Sequence, residues 1–181
     1  IETIIIDEEN PYLCADSASV IYNKDKTMLL RFPGGSTLEE YTIADGVKKI
    51  CDRAFYKNKI IKSVTMPDTV TEIGTSAFEL CTKAESIKLS DNLVKIGEKA
   101  FSDCTSLKEV SMPDTVTKIG ESAFYNCKRI NKINLSESLE SIGERAFQYC
   151  SSITTIVIPD TVTEIGRNAF SYNSFNGNIT C

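Results

Sequence analysis

Apolar and polar positions recur along this chain in blocks of constant length. The clearest marker is an Ala-Phe pair, found at Ala54-Phe55, Ala77-Phe78, Ala100-Phe101, Ala123-Phe124, Ala146-Phe147 and Ala169-Phe170, each 23 residues after the last and without insertions. Aligning on that pair produces an isoleucine column (Ile50, Ile73, Ile96, Ile119, Ile142, Ile165) and a Val/Leu column (Val47, Val70, Leu93, Val116, Leu139, Val162). A glycine follows each isoleucine from Gly74 to Gly166, with Cys51 as the exception. Upstream of these columns runs an apolar-x-x-apolar-x-apolar string: Leu38-Tyr41-Ile43, Ile61-Val64-Met66, Ala84-Ile87-Leu89, Leu107-Val110-Met112, Ile130-Ile133-Leu135 and Ile153-Ile156-Ile158. A fixed period of this size decides the fold before any local propensity does.

The spacing predicts local structure. Alternation in the second half of each string predicts a short strand with one face in the core and the intervening residues in solvent. Glycine is expected to permit a turn of positive φ, and the x-x-Ala-Phe-x-x-Cys segment after it to form a helical turn. A single 23-residue coil cannot bury these residues alone. Stacked coils can, each Phe packing on the next for roughly 1.5–3 kcal/mol per buried ring.

The stretch Leu107 to Cys127 reads Leu-x-x-Val-x-Met-Pro-Asp-x-Val-x-x-Ile-Gly-x-x-Ala-Phe-x-x-Cys. In this it resembles the BspA-like leucine-rich repeats of bacterial surface proteins, and the resemblance covers essentially the whole chain. The implied fold is an α/β repeat: a right-handed leucine-rich-repeat solenoid with a parallel sheet on its concave face and short helical turns opposite. Residues 1–181 are expected to form a single domain, with 1–37 an extended first coil, 38–175 six 23-residue coils, and 176–181 a partial last strand. The first coil has the strand pattern Ile1-Ile4-Ile6 but carries 14 extra residues. Within it Val20-Ile21-Tyr22 and Met28 to Phe32 flank the polar Asn23 to Thr27, which predicts a hairpin. The residue after each strand alternates as Pro67, Ser90, Pro113, Ser136, Pro159, consistent with tandem duplication of a 46-residue pair of coils.

Composition narrows the chemistry. The chain has no His and no Trp, so it lacks the usual general base near neutral pH and the commonest metal ligand. A net charge of −5 has the wrong sign for a phosphate-binding surface, and nucleic acid is not an expected partner. No apolar run approaches the ~20 residues that cross a bilayer, so no membrane insertion by this segment is expected. Ile1 to Asp7 lack the pattern of a signal peptide.

The remaining candidate groups follow the period. Cys81, Cys104, Cys127 and Cys150 are one period apart, which predicts a ladder of small buried residues in preference to a convergent zinc site or a disulfide. Cys14, Cys51 and Cys181 fall outside that register. Asp45, Asp68, Asp91, Asp114, Glu137 and Asp160 follow each strand; each is expected to cap its own turn, since one carboxylate per coil supplies few of the 6–8 oxygens Ca²⁺ takes. Asn134-Leu135-Ser136 and Asn178-Ile179-Thr180 match the glycosylation pattern but fall in predicted strands. Tyr56, Tyr125, Tyr149 and Tyr172 follow the Ala-Phe pairs and read as convex-side packing, with a partly exposed ridge as the alternative.

The solvent-facing strand positions define a candidate concave binding face: Glu40, Thr42, Ser63, Thr65, Ser86, Lys88, Glu109, Ser111, Lys132, Asn134, Thr155 and Val157, preceded by Thr3 and Ile5. These side chains are small, polar and mixed in charge. They contain no nucleophile paired with a base, so no enzyme activity and no cofactor are expected. Seven strands at ~4.8 Å give a face ~34 Å long and ~350–500 Å² in area, below the ~800 Å² per partner of a standard interface. The segment is therefore expected to bind weakly, to use its edges as well, or to belong to a longer array. The resemblance implies a secreted or cell-surface module for adhesion or another protein or glycan interaction; a structural spacer is the alternative.

Overall fold

A computed structural model describes residues 5–174. The N-terminal part forms β1 (Leu13–Ala15), β2 (Ile21–Asn23) and β3 (Met28–Arg31). The following coils alternate a three-residue and a two-residue strand: β4 (Glu40–Thr42) and β5 (Lys49–Ile50), β6 (Ser63–Thr65) and β7 (Glu72–Ile73), β8 (Ser86–Lys88) and β9 (Lys95–Ile96). The series continues with β10 (Glu109–Ser111) and β11 (Lys118–Ile119), then β12 (Lys132–Asn134) and β13 (Ser141–Ile142), and β14 (Glu164–Ile165) is the last strand among the described residues. Coils stack in register with parallel pairing, as a right-handed β-solenoid of about six turns.

The longest sheet is built from the two-residue strands. It runs β1-β2-β3-β5-β7-β9-β11-β13-β14, antiparallel from β1 to β3 and parallel thereafter. Ile50, Ile73, Ile96, Ile119 and Ile142 lie directly over one another in it and are buried. The isoleucine column is visible in the sequence but its strands are not, because two residues are too few to display a period of two. The three-residue strands form two separate ladders, β4-β6-β8 and β10-β12.

The expected helical turns are not formed: among the described residues there is no α-helix. The backbone N–H groups of the Ala-Phe segment leave their own coil. Arg53, Phe55 and Lys57 donate to the carbonyls of Thr75, Ala77 and Glu79 at 2.9, 2.7 and 2.9 Å. The same triplet repeats with Ser76, Phe78 and Leu80 donating to Glu98, Ala100 and Ser102 at 2.8, 2.7 and 2.9 Å. Alternate residues bond to the next coil, as in a strand. Two residues per coil, such as Ser76 (φ 56°) and Leu80 (φ 63°), take left-handed backbone geometry to aim their N–H groups that way. That conformation costs roughly 1–2 kcal/mol per L-residue, and the inter-coil bonds offset it. Apolar spacing of i, i+1 and i+4 is satisfied equally by a helix and by this flat turn.

The repeat glycines have a different role from the one expected. Among the described residues the only glycine of positive φ is Gly46. A Cβ on Gly120 would lie 2.6 Å from the backbone of Gly97 and Glu98 in the coil before, and Gly97, Gly143 and Gly166 meet equally close backbone. Glycine is needed there because two backbones touch.

Phenylalanine fills the space between the sheets and the turns. Phe32, Phe55, Phe78, Phe101, Phe124, Phe147 and Phe170 form one continuous stack with ring centroids 4.7–5.5 Å apart. Near-parallel planes at this separation are the offset arrangement that aromatic rings favour. Phe32 extends the stack into the first coil, although it belongs to no Ala-Phe pair.

The first coil is tied down by a polar link. The hydroxyls of Tyr22 and Tyr41 hydrogen-bond to each other, and Tyr41 donates to Asp16 Oδ2 at 2.5 Å. Asp16 Oδ1 in turn accepts the N–H groups of Ala18 and Val20, both at 2.9 Å. Burial pushes the ionisation of both phenols above the usual range, so they act here as neutral hydrogen-bonding groups. Tyr41 thus carries a polar contact at a position whose spacing marks it only as apolar.

Two substitutions test this packing. Phe101→Ala, which removes a buried ring between two others, is expected to lower unfolding stability by about 3–5 kcal/mol in chemical denaturation. Gly120→Ala is expected to cost roughly 1–3 kcal/mol by overpacking, whereas Gly34→Ala, which meets nothing within 4 Å, is expected to cost nothing; equal effects would contradict the assigned role of the repeat glycines.

Candidate functional site

The candidate face is carried by the three-residue strands. Glu40 and Thr42 lie on β4, Ser63 and Thr65 on β6, Ser86 and Lys88 on β8, Glu109 and Ser111 on β10, and Lys132 and Asn134 on β12. Between each pair one residue points into the core, as Val64, Ile87 and Val110 do. In-register pairing aligns Glu40 with Ser63 and Ser86, and Glu109 with Lys132. Thr155 and Val157 are exposed on a segment that forms no ladder with β12. Ile5 is exposed, while Thr3, the strand residues Ile1 and Ile4, and residues 176–181 with Cys181 and the Asn178 motif lie outside the described residues.

Charge on this face is paired from coil to coil. Lys62 contacts Glu39 at 2.8 Å, Lys108 contacts Glu85 at 2.5 Å, and Lys132 stands 4.0 Å from Glu109. The hydrogen bond from Lys108 holds the Glu85 carboxyl below its ordinary range, and the one to Glu39 raises Lys62. Such exposed pairs contribute little to stability; they orient the charges that a ligand meets.

Two of the acidic residues after the strands, Asp68 and Asp114, bond differently from the expectation. Asp68 Oδ1 accepts the N–H of Asp91 at 3.3 Å, and Asp114 Oδ1 accepts that of Glu137 at 3.2 Å, so these carboxylates cap the following coil and not their own turn. Asp52 does the same for Thr75 at 2.9 Å. Among the described residues no three acidic or thiol side chains converge as a metal site requires.

The cysteine column is buried. Cys81, Cys104, Cys127 and Cys150 each donate S–H to the carbonyl of the Phe 26 residues earlier, at 3.0–3.1 Å. In the coil before Cys81 the same place holds Asn58, whose side-chain oxygen accepts the N–H groups of Ile60 and Ile61. Burial raises the Cys104 and Cys127 thiols and pushes Cys150 up to about 12, away from the reactive thiolate. On the turn side, Tyr149 stacks on Tyr172 at 4.6 Å and meets Tyr125 edge-on at 5.5 Å. Tyr172 is 69% exposed, so these three form a ridge and not interior packing. Tyr56 stands apart, against Arg53 and Lys57.

The profile described as the BspA type leucine-rich repeat region matches residues 31–136 and 71–181, with six copies. The chain belongs to this family. Similar solved structures include a leucine-rich repeat protein from Eubacterium ventriosum, 25% identical with a TM-score of 0.81 over 99% of this chain and 55% of that one. A leucine-rich cell surface protein from Faecalibacterium prausnitzii is 29% identical, with a TM-score of 0.64 over 94% of this chain and 56% of that one. The pneumococcal vaccine antigen PcpA shares the fold at 21% identity and a TM-score of 0.68, over 99% of this chain and 51% of that one. The chain thus spans about half the length of these three proteins. No curated protein is significantly similar to it.

Thiol reactivity tests the core placement of the cysteine column. At pH 8 in the native state Cys81, Cys104, Cys127 and Cys150 are expected to resist alkylation by iodoacetamide and to react fully in denaturant. Peptide mapping that finds any of them alkylated before global unfolding would contradict the burial.

Proposed function

We propose that this BspA-type segment is a non-catalytic interaction module of a bacterial surface protein and binds a protein ligand through the face of the three-residue strands. The observation that carries the reading is the run of exposed or half-exposed side chains in two in-register groups, Glu40 to Lys88 and Glu109 to Asn134, with Glu109 and Lys132 bridged between coils. A rigid parallel scaffold of this kind holds its contact groups in place before binding, which lowers the ordering cost of association. The family to which the chain belongs and the cell-surface description of the Faecalibacterium protein support placement outside the cell, with adhesion as the specific role.

A spacer role is the competing reading, favoured by the unbroken phenylalanine stack, which makes the segment stiff along its axis. The two separate in a binding assay against purified host matrix proteins. An interaction module is expected to give saturable binding to at least one of them. Replacing both Glu109 and Lys132 by Ala should weaken it on the order of 10-fold, about 1.4 kcal/mol, and reduce its salt dependence. A spacer would bind none of them saturably.

A further inference from the structure

The ladder on the candidate face is interrupted at two junctions, β8 with β10 and β12 with residues 155–157; across the first, Lys108 N–H still reaches Glu85 O at 3.2 Å. Ile43 donates to Thr65 O at 3.0 Å, Met66 to Lys88 O at 3.1 Å and Met112 to Asn134 O at 3.0 Å. The equivalent bonds from Leu89 to Ser111 and from Leu135 to Val157 are not made, and no ladder joins β8 to β10 or β12 to residues 155–157. Both failures fall where a coil with a buried serine after its strand, Ser90 or Ser136, meets a coil with proline there, Pro113 or Pro159. The junction of the Ala44 coil with the Pro67 coil is paired. The interruption therefore follows the 46-residue alternation of the sequence.

A cleft opens at each failure, one of about 520 Å³ and one of about 360 Å³. Every residue lining the smaller cleft is the counterpart, 46 positions on, of one lining the larger: Ile87 corresponds to Ile133, Leu89 to Leu135, Asp91 to Glu137, Ser111 to Val157. The core is touched by solvent at both, with Ile87, Leu89 and Leu135 at 8%, 7% and 8% exposure against 0% for Val64 at a paired junction. Lys88 of the first cleft is Asn134 in the second. The first cleft also carries Lys132 and Glu109, which pair with each other at 4.0 Å; the features common to both clefts are an apolar floor and one carboxylate at the margin, Asp91 or Glu137, beside exposed Asp68, Asp114 and Asp160.

Two coils separate the clefts, ~9.6 Å at ~4.8 Å per strand. A polyproline II helix returns to the same face every three residues, ~9.3 Å at ~3.1 Å rise. An extended strand repeats its faces every ~6.8 Å and falls out of step. Resting on the reading of this face as a protein-binding surface, we propose that the clefts are successive subsites for one linear, basic peptide segment in the polyproline II conformation. It lies along the stacking axis, sets the apolar side chains of residues i and i+3 into the two clefts, and places basic side chains against Asp91 and Glu137.

The test uses fluorescein-labelled peptides and fluorescence anisotropy. Four repeats of Pro-Leu-Lys carry the three-residue period; three repeats of Pro-Leu-Lys-Pro move leucine to a four-residue period. The first is expected to bind saturably and the second at least 10-fold more weakly. Ser111→Tyr and Val157→Tyr each fill one cleft and are expected to weaken the first peptide, with the double variant abolishing binding. Val94→Tyr, at an exposed position beside β9 and outside the candidate face, should leave it unchanged, with folding of all variants confirmed by circular dichroism. The period comparison on the unaltered protein decides the matter even if the variants fail to fold. Indifference to period, or no binding of the three-residue peptide, overturns the proposal, as does binding of a β-linked glycan oligomer that Ser111→Tyr abolishes. If these peptides stay silent while a matrix protein still binds and loses affinity on replacement of Glu109 and Lys132, the polyproline assignment is wrong and the binding face stands.

Discussion

The structure depends on backbone contact between consecutive coils. Strands, turns and glycines all serve a repeat close enough for N–H groups to reach the next coil's carbonyls. Phe101 bonds to Ala123 across 2.7 Å, and Gly120 leaves no room for a Cβ against Gly97. That spacing in turn suits stacked phenylalanine rings, whose centroids are 5.0–5.3 Å apart on either side of Phe101. Each coil is stabilised through its neighbours, so the energetics are those of a one-dimensional array. Side chains that would otherwise be liabilities fit the same rule: the buried thiol of Cys104 satisfies Phe78 O, and Thr115 Oγ1 satisfies Leu93 O at 2.6 Å.

Much of the fold was legible in the sequence because translation by one period puts equivalent residues in contact. The Ala-Phe pairs, the isoleucine column and the core strand positions could be read directly. What escaped was the direction of the backbone N–H groups. The spacing of Ala123, Phe124 and Cys127 suits a helix, yet Phe124 bonds to Ala146 in the next coil, which no pattern within one coil reveals. The glycines were misread for a related reason: in one coil glycine suggests a positive φ, and only a neighbour exposes the demand for a vanishing side chain. The link from Asp16 through Tyr41 to Tyr22 joins residues with no periodic relation, so spacing carries no trace of it.

The candidate face was legible as a row of alternating positions, and its interruption was not. Alternation of Pro67, Ser90, Pro113 and Ser136 reads in sequence as a record of duplication. In the structure it coincides with which strands are joined, so the alternation is also a physical difference between junctions. Charge pairs such as Lys108 with Glu85 likewise required the stacking register before partners 23 residues apart could be matched. The chain has no histidine, and the cysteine column is held in the core away from this surface.

Inter-coil bonding in the Ala-Phe turns can be measured directly by NMR, through scalar coupling across hydrogen bonds. The account predicts coupling between the Phe101 amide nitrogen and the Ala123 carbonyl carbon, with the same step at Phe78 to Ala100 and Phe124 to Ala146. Coupling of the Phe101 amide to the carbonyl of Gly97, four residues earlier in its own coil, would reveal a helical turn and contradict it.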